Sequence, residues 1–460
     1  MRNTGFLQTT VLTLIFMGAG LAASAQQGKW LETDSAAAVA GRIKTDFPLD
    51  LEQARDALNQ RYGLHLTVDS VLDYGRHHYV ELLDVDGRKR MHKKSVRNLA
   101  LLHPALNGNN PPRGAQASPQ RIAYVDTILA AYDNSNGAYG AGHAIKYKFE
   151  IDVPYSDAIA GDTLHVWMPL PRQSQRQRNI RILSASPADY TLSAAIAPTD
   201  EANTHNSIYF SAPVNTDRSA NHFEYTAEFE TYGQYFSPEE IKANIMPYDT
   251  TADLYRRYTA VEPPHIIHTN LARQIVGAET DPYRCSELVY DYIIERYPWA
   301  GAREYSTIPC IPQYVIDEEH GDCGQVALLY ISLMRSLGIP ARWESGWMLH
   351  PGEVNLHDWA EVYFEGVGWV PVDVSFGRYT AAKDPRARKF YSTGMDAWRL
   401  AANKGVCKPF FPAKRHIRSE TVDAQMGEVE TSRGNLFYPE WKQSLTILKS
   451  TPLPVVALPK

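Results

Sequence analysis

From Asp322 to Pro340 the chain reads DCGQVALLYISLMRSLGIP, and no other stretch limits the possible folds as strongly. Asp322 followed by Gln325 has the form of a capping box, in which the carboxylate accepts the third helical amide and the glutamine reaches back. Val326, Leu329, Tyr330, Leu333 and Leu337 then recur at helical spacing as one apolar face. Gly338 supplies a left-handed stop and Pro340 bars continuation. The chain must therefore build a core around this helix, with Cys323 at its first turn. Unpaired amides and partial positive charge at a helix start favour a thiolate over a thiol, and an amide there is placed to hold an oxyanion. A buried structural cysteine is the commoner fate of a lone Cys, but the flanking EEHGD and Gly324 are poor material for an apolar pocket.

A second constraint lies downstream in LHDWAEVYFEGVGWVPVDVSFG, where two strand-like runs meet at Gly366-Val367-Gly368. His357, Trp359, Glu361 and Tyr363 alternate onto one face, and Asp373 shares parity with Trp369 and Pro371. A turn centred on Val367 sets Asp373 opposite Glu361, on the side of His357 but too far along for contact. Pro371 inside a strand predicts a bulge or irregular pairing that shifts this register. A helix-start Cys followed by His and Asp on neighbouring strands supplies the nucleophile, base and orienting group of acyl transfer.

These two runs, Gly321 to Gly377, resemble the core of the transglutaminase-like superfamily, whose bacterial members share a G-x-C helix, GIPAR, H-x-W-x-E-V-Y and GW-x-P-x-D. The resemblance implies a papain-like α+β fold with catalytic Cys323, His357 and Asp373. It also implies attack on an amide carbonyl, giving a thioester that water resolves in a peptidase or amidase and an amine resolves in a crosslinking transglutaminase. Exported bacterial members resemble hydrolases more closely, and no acidic cluster like the calcium sites of animal transglutaminases is evident, so a metal-free, cofactor-free enzyme is expected. Papain-type proteases place a glutamine six residues before the nucleophile, where this chain has Asp317. Gln313 or Tyr314, with the Cys323 amide, are the candidates for the oxyanion role.

The rest of the chain suggests a smaller α+β unit and an antiparallel β-sandwich ahead of this core, since 460 residues suit roughly three domains. Arg2, an apolar run from Val11 to Leu21 and Ala23-Ser24-Ala25 have the form of a secretory signal peptide over residues 1–25. The run is short for a membrane span, so a periplasmic or secreted protein is expected. Residues 26–103 contain a helical pattern around LDLEQARDALNQRYG and a hairpin turning at Asp86-Gly87. Residues 104–121 are rich in Pro, Gly and Asn and form the expected linker. Short β-rich runs at regular spacing place the sandwich in 122–248, and 249–460 forms the catalytic unit, its tail after Cys407 packing back on it.

Other features exclude or leave open. A net charge of −6, with 46 basic and 52 acidic residues interspersed, lacks the basic stripe that nucleic acid requires. A bridge among Cys285, Cys310 and Cys407 is compatible with an oxidising compartment, with Cys323 kept free. His77, His78 and His92 are expected to be solvated, and Trp343, Trp347, Trp359 and Trp369 to fill core rather than wall an acyl channel. His350 is expected in a loop. A metal site from Cys323, His320 and His357 fits no closed zinc set. The expected partner is a peptide or protein, with cell-wall stem peptides among the compatible donors; the competing class is a non-catalytic envelope-binding module.

Overall fold

The structure is a computed structural model that describes residues 32–107, 113–135, 141–193, 205–217 and 221–456. The expected signal peptide and the middle of the expected linker, 108–112, lie outside the described residues. Near the N-terminus, Asp50 caps the helix Leu51–Tyr62 by accepting from the Gln53 amide at 2.9 Å, and Gly63 closes it at φ +64°. The strands Leu82–Val85 and Arg88–Met91 form the hairpin. Asp86 and Gly87 both adopt positive φ, 50° and 75°, as a two-residue hairpin turn demands. Ala54, Leu58, Val71, Val80, Met91 and Leu99 give this unit its own core.

His77 and His78 follow the helix Val68–Arg76 and face Asp73 and Glu318. His92 departs from the solvated expectation: it is fully buried beside Phe47, and burial pushes its imidazole down to about 3. The unit is clamped onto the segment that precedes the Cys323 helix. Arg42 pairs with Glu304 at 2.5 Å, Arg303 with Glu81 at 3.0 Å, and Asn98 bonds the Gly301 backbone on both sides.

The helix Pro119–Asn134 leads into two antiparallel sheets. Along Gly142–Val153 the residues Ile145, Tyr147, Phe149, Ile151 and Val153 are buried at every second position, so one strand face supplies the sandwich core. The tail completes both sheets instead of packing only on the unit expected to be catalytic. Lys442–Leu453 pairs with Gly142 to Asp152, with a register shift between Ile447 and Lys449, and Glu428–Glu430 pairs with His165 to Trp167. The period that decides this is short: Leu445 and Ile447 alone put two apolar groups on the inner face.

In the unit expected to be catalytic, the helix Cys323–Ser336 is buried from Gly324 to Arg335, all round rather than along one face. A sheet carrying Trp343, Ala360 and Val362 covers one side and the helices Pro282–Arg296 and Ile311–Glu318 cover the other. The sheet is antiparallel in the order Gly368–Val372, Asn355–Phe364, Ala341–Met348, Arg399–Lys404. Phe364 pairs with Gly368 and Glu361 with Pro371, so the turn centres on Gly366, at φ +83°, and not on Val367. Pro371 pairs regularly because its strand is the sheet edge, where a missing N–H is tolerated. The irregularity falls instead between Ser345 and Gly346. The one-residue change carries Asp373 past the strand end, towards His357.

Cys285, Cys310, Cys323 and Cys407 are all free thiols, so the bridge allowed by the sequence is not formed. Among the described residues no helix is long and apolar enough to cross a membrane.

Candidate functional site

The turn before Cys323 is held from several directions. Asp322 accepts from the Gln325 amide at 3.0 Å and Gln325 reaches back to the Asp322 amide at 3.1 Å, the capping box expected from the sequence. The Tyr305 hydroxyl donates to the same Asp322 carboxylate. Arg113, from the expected linker, is buried under this turn and donates to the carbonyls of Tyr297 (2.6 Å), Pro298 (3.2 Å) and Gly321 (2.5 Å). At Gly324 a Cβ would meet the Tyr305 hydroxyl and come within 2.6 Å of Asp358 Oδ2. Only glycine allows the first helical turn to approach the sheet this closely.

The recorded polar partner of the Cys323 side chain is Asp358, with Sγ donating to Oδ2 at 3.5 Å. Burial, then Asp358 and Asp322, push the thiol well above its usual range. The thiolate expected from the helix start is therefore not the resting form. A helix terminus typically contributes about 0.3–1 kcal/mol, too little against desolvation and two carboxyl groups.

Behind His357 lies a buried relay. His357 Nε2 meets Asp373 Oδ2 at 2.7 Å, and Asp373 Oδ1 accepts the amides of Ser375 at 3.0 Å and Phe376 at 3.3 Å. Arg399 donates to Asp373 Oδ2 at 2.9 Å and to Asp396 Oδ2 at 2.9 and 3.1 Å, and Asp396 Oδ1 lies 3.1 Å from His350 Nε2. Burial alone would raise Asp373, but His357 and Arg399 outweigh it and hold the carboxylate below its ordinary range. Burial lowers His357, and Arg399 adds to this against the pull of Asp373. A carboxylate can only accept, so the imidazole carries its proton on Nε2 and leaves Nδ1 as the basic nitrogen.

The C-terminal extension enters the site as well. Gln425 Nε2 donates to the His357 carbonyl at 2.9 Å and to Asp358 Oδ1. Asp423 accepts the Gln425 amide at 3.2 Å and is pushed up to about 6 by burial.

The structure brings His357 and Asp373 together and sets Cys323 against Asp358; it uses Gln313 and Tyr314 elsewhere. Gln313 Nε2 donates to Asp317 at 2.8 Å on an exposed face, and the Tyr314 hydroxyl donates to Glu81 at 3.0 Å. The oxyanion assignment of these two is corrected, because the helix Ile311–Glu318 spends them on itself and on the N-terminal unit. Nor do Cys323, His320 and His357 converge as metal ligands: His320 Nδ1 faces the Glu318 carbonyl at 2.7 Å. Among the described residues the grouping with ligand spacing is Glu150, His222 and Glu224 on the sandwich.

Trp343 and Trp359 are fully buried core residues. His350, expected in a loop, is buried at the far end of the relay. Arg113, Asp358, Asp396, Arg399 and Gln425 went unread in the sequence. Arg399 in AWRLAANK, a charge inside an apolar strand, is the one that carried a signal.

A buried Cys-helix packed on an antiparallel sheet, with a His–Asp pair at the sheet end, defines a transglutaminase-like core. Residues 269–374 match the family model of the transglutaminase-like superfamily, and Cys323, His357 and Asp373 all lie inside the match. The uncharacterized protein YebA of Bacillus subtilis (strain 168) is 31% identical over 83 residues, 15% of this chain; the match spans 11% of the length of YebA. A Cytophaga hutchinsonii protein described provisionally as a cysteine protease aligns with a TM-score of 0.40 at 16% identity, covering 68% of this chain and 96% of that one. The periplasmic domain of TgpA from Pseudomonas aeruginosa aligns with a TM-score of 0.24 at 14% identity, covering 57% and 96%.

Proposed function

We propose that this protein is a cysteine enzyme that breaks amide bonds through a thioester and passes the acyl group to water, as a peptidase or amidase. The observation that carries this is the 2.7 Å bond from His357 Nε2 to Asp373, which leaves Nδ1 as the basic nitrogen, on the strand whose Ala360 and Val362 share a core with the helix that starts at Cys323. The resting pair is a neutral thiol and a neutral imidazole, which favours general-base activation over a standing ion pair.

In the first half-reaction His357 Nδ1 takes the Sγ proton as sulfur bonds to the amide carbonyl carbon, and Asp373 stays ionised and steadies the imidazolium. The backbone amide of Cys323 is the candidate donor to the developing oxyanion. Collapse breaks the C–N bond, and His357 returns the proton to the leaving amine. In the second half, His357 takes a proton from water as its oxygen attacks the thioester, then gives it to sulfur.

The substrate class is a peptide or protein amide, with cell-wall stem peptides among the candidates. The N-terminal apolar run supports action in the periplasm or outside the cell. With an amine in place of water the same groups would crosslink proteins, and the acceptor is what the experiment must resolve.

The test is mass spectrometry of intact protein after brief incubation with candidate amide donors, with and without a fluorescent primary amine. An acyl adduct on Cys323 that decays to free acid supports hydrolysis, whereas transfer to the amine makes the enzyme a transglutaminase. No adduct, and turnover unchanged by Cys323→Ala, would falsify the enzymatic reading.

A further inference from the structure

We propose that the protein has a second binding site, separate from the cysteine chemistry above, for a small molecule that carries one carboxylate on an apolar body. A cavity of about 310 Å³ lies where the β-sandwich meets the sheet that carries Arg342 and Glu361. That size falls in the range of small-molecule sites, which favour junctions between units.

Strand alternation builds the floor. Ala360 and Val362 face the core that holds the Cys323 helix, so Glu361 between them points the other way. Arg342 sits directly across from Glu361, and Glu344 directly across from both Trp359 and Lys404. Opposite charges therefore meet across the strands, Arg342 Nε with Glu361 at 2.6 Å and Lys404 with Glu344 at 3.3 Å. The sandwich adds Arg176, whose Nη2 donates to Glu344 Oε2 at 2.8 Å. His357, Trp359 and Glu361 share this face, and the fully buried Trp359 stands between the other two along the strand. The cavity is thus set apart from the proposed base.

Two guanidinium groups here are only partly used. Arg342 and Arg176 are 5% and 7% exposed, and both line the cavity. Among the described residues, Arg342 spends Nε on Glu361 and Arg176 spends Nη2 on Glu344; their other nitrogens are neither hydrogen-bonded to protein nor sealed off. The Arg342 guanidinium lies 3.9 Å from the centre of the Trp369 ring, which occupies its face and leaves its edge for an acceptor. A buried guanidinium edge with open space beside it matches a carboxylate, which accepts two parallel N–H bonds.

The remaining walls define the rest of the ligand. Phe236, Ile241 and Trp369 offer apolar surface to its body. The negative charge already present limits it to one further charge: Glu361 lines the cavity, Glu344 holds Arg176, and exposed Glu240 stands at the rim. These carboxylates oppose the second charge of a phosphate monoester more than the single charge of a carboxylate. Because Arg176 comes from the sandwich and Arg342 from the sheet, the ligand bridges the two units.

The experiment is calorimetric titration of the full chain with benzoate, with benzamide as its neutral counterpart and phenyl phosphate as the dianion. Benzoate is expected to bind one to one, and benzamide about ten- to hundredfold more weakly, the usual worth of hydrogen bonds to a charged group. Arg342→Gln should weaken benzoate by the same factor, but it also breaks a buried ion pair and risks the fold. Gln175→Trp and Asn244→Trp change exposed positions at the mouth and leave every ion pair intact, so they should block benzoate with little change in Tm. Benzoate that fails to bind the folded wild type, binds no better than benzamide, or binds both mouth variants as tightly as the wild type overturns the inference. Tighter binding of phenyl phosphate overturns the carboxylate class. Since the readout is binding and not turnover, loss of the proposed cysteine chemistry would leave this result unchanged.

Discussion

Arg399 donates to Asp373 Oδ2 at 2.9 Å, on the same oxygen that meets His357 Nε2 at 2.7 Å. The cation thus shares the acceptor that orients the proposed base, and it also lowers the proton affinity of that base. The basic form of His357 consequently persists below the ordinary value of 6.5. The acidic limb of kcat/KM is expected below pH 6.5, and Arg399→Met is expected to move it upward. The same substitution strands Asp373 and Asp396 without their buried cation, at a cost of about 3–5 kcal/mol. Activity between pH 4 and 8, with urea denaturation on the same samples, measures both effects.

Asp373→Asn removes the group that fixes the His357 tautomer. A fall of about 10⁴-fold in kcat is expected, by analogy with the orienting Asp of serine proteases. Labelling of Cys323 should remain measurable and Tm should change little compared with Arg399→Met. An Asn variant within tenfold of wild type would mean that Asp373 only packs.

Arg113 fastens three carbonyls around the turn that delivers Cys323. Arg113→Ala leaves them without their buried donor, and a loss of about 3 kcal/mol is expected on the usual worth of hydrogen bonds to charged groups. Equilibrium unfolding in urea checks the magnitude. Limited proteolysis between residues 104 and 121 checks whether the segment loosens.

Gly324→Ala drives a methyl group into the Tyr305 hydroxyl and Asp358 Oδ2. The neighbours are a hydrogen-bonded phenol and a buried carboxyl, which yield poorly, so about 1–3 kcal/mol of destabilisation is expected. Thermal unfolding and Cys323 labelling should both respond. A variant with unchanged Tm would show that this contact relaxes freely.

Glu81 receives Arg303 and Tyr314 at 3.0 Å each, and burial raises it from 4.5 to about 7. The folded state therefore binds the proton more tightly than the unfolded chain. Its contribution is fully present below pH 4.5 and is lost as pH rises through about 7, by up to about 3 kcal/mol. Glu81→Gln cannot titrate, so its stability relative to wild type should improve between pH 4.5 and 8. Paired denaturation curves at the two pH values test the sign.

Local rules were enough to read the capped helix at Asp322, the stop at Gly338 and the Asp86-Gly87 turn, because each depends on residues within a few positions of one another. The Cys-His-Asp types were legible for the same reason, being carried by two compact runs. Register was not legible: a turn centred on Gly366 and one centred on Val367 differ by one residue, and each satisfies the same alternation.

Sequence alone thus determined that a buried helix starts at Cys323 and that His357 and Asp373 share a side of a neighbouring hairpin. Tertiary structure alone decided the ionic state of these groups and the company they keep. Arg113, Arg399, Asp423 and Gln425 reach the site from distant parts of the chain, and desolvation depends on what closes over a group, not on what flanks it. That is why the helix start pointed to a thiolate, whereas the folded protein holds a thiol.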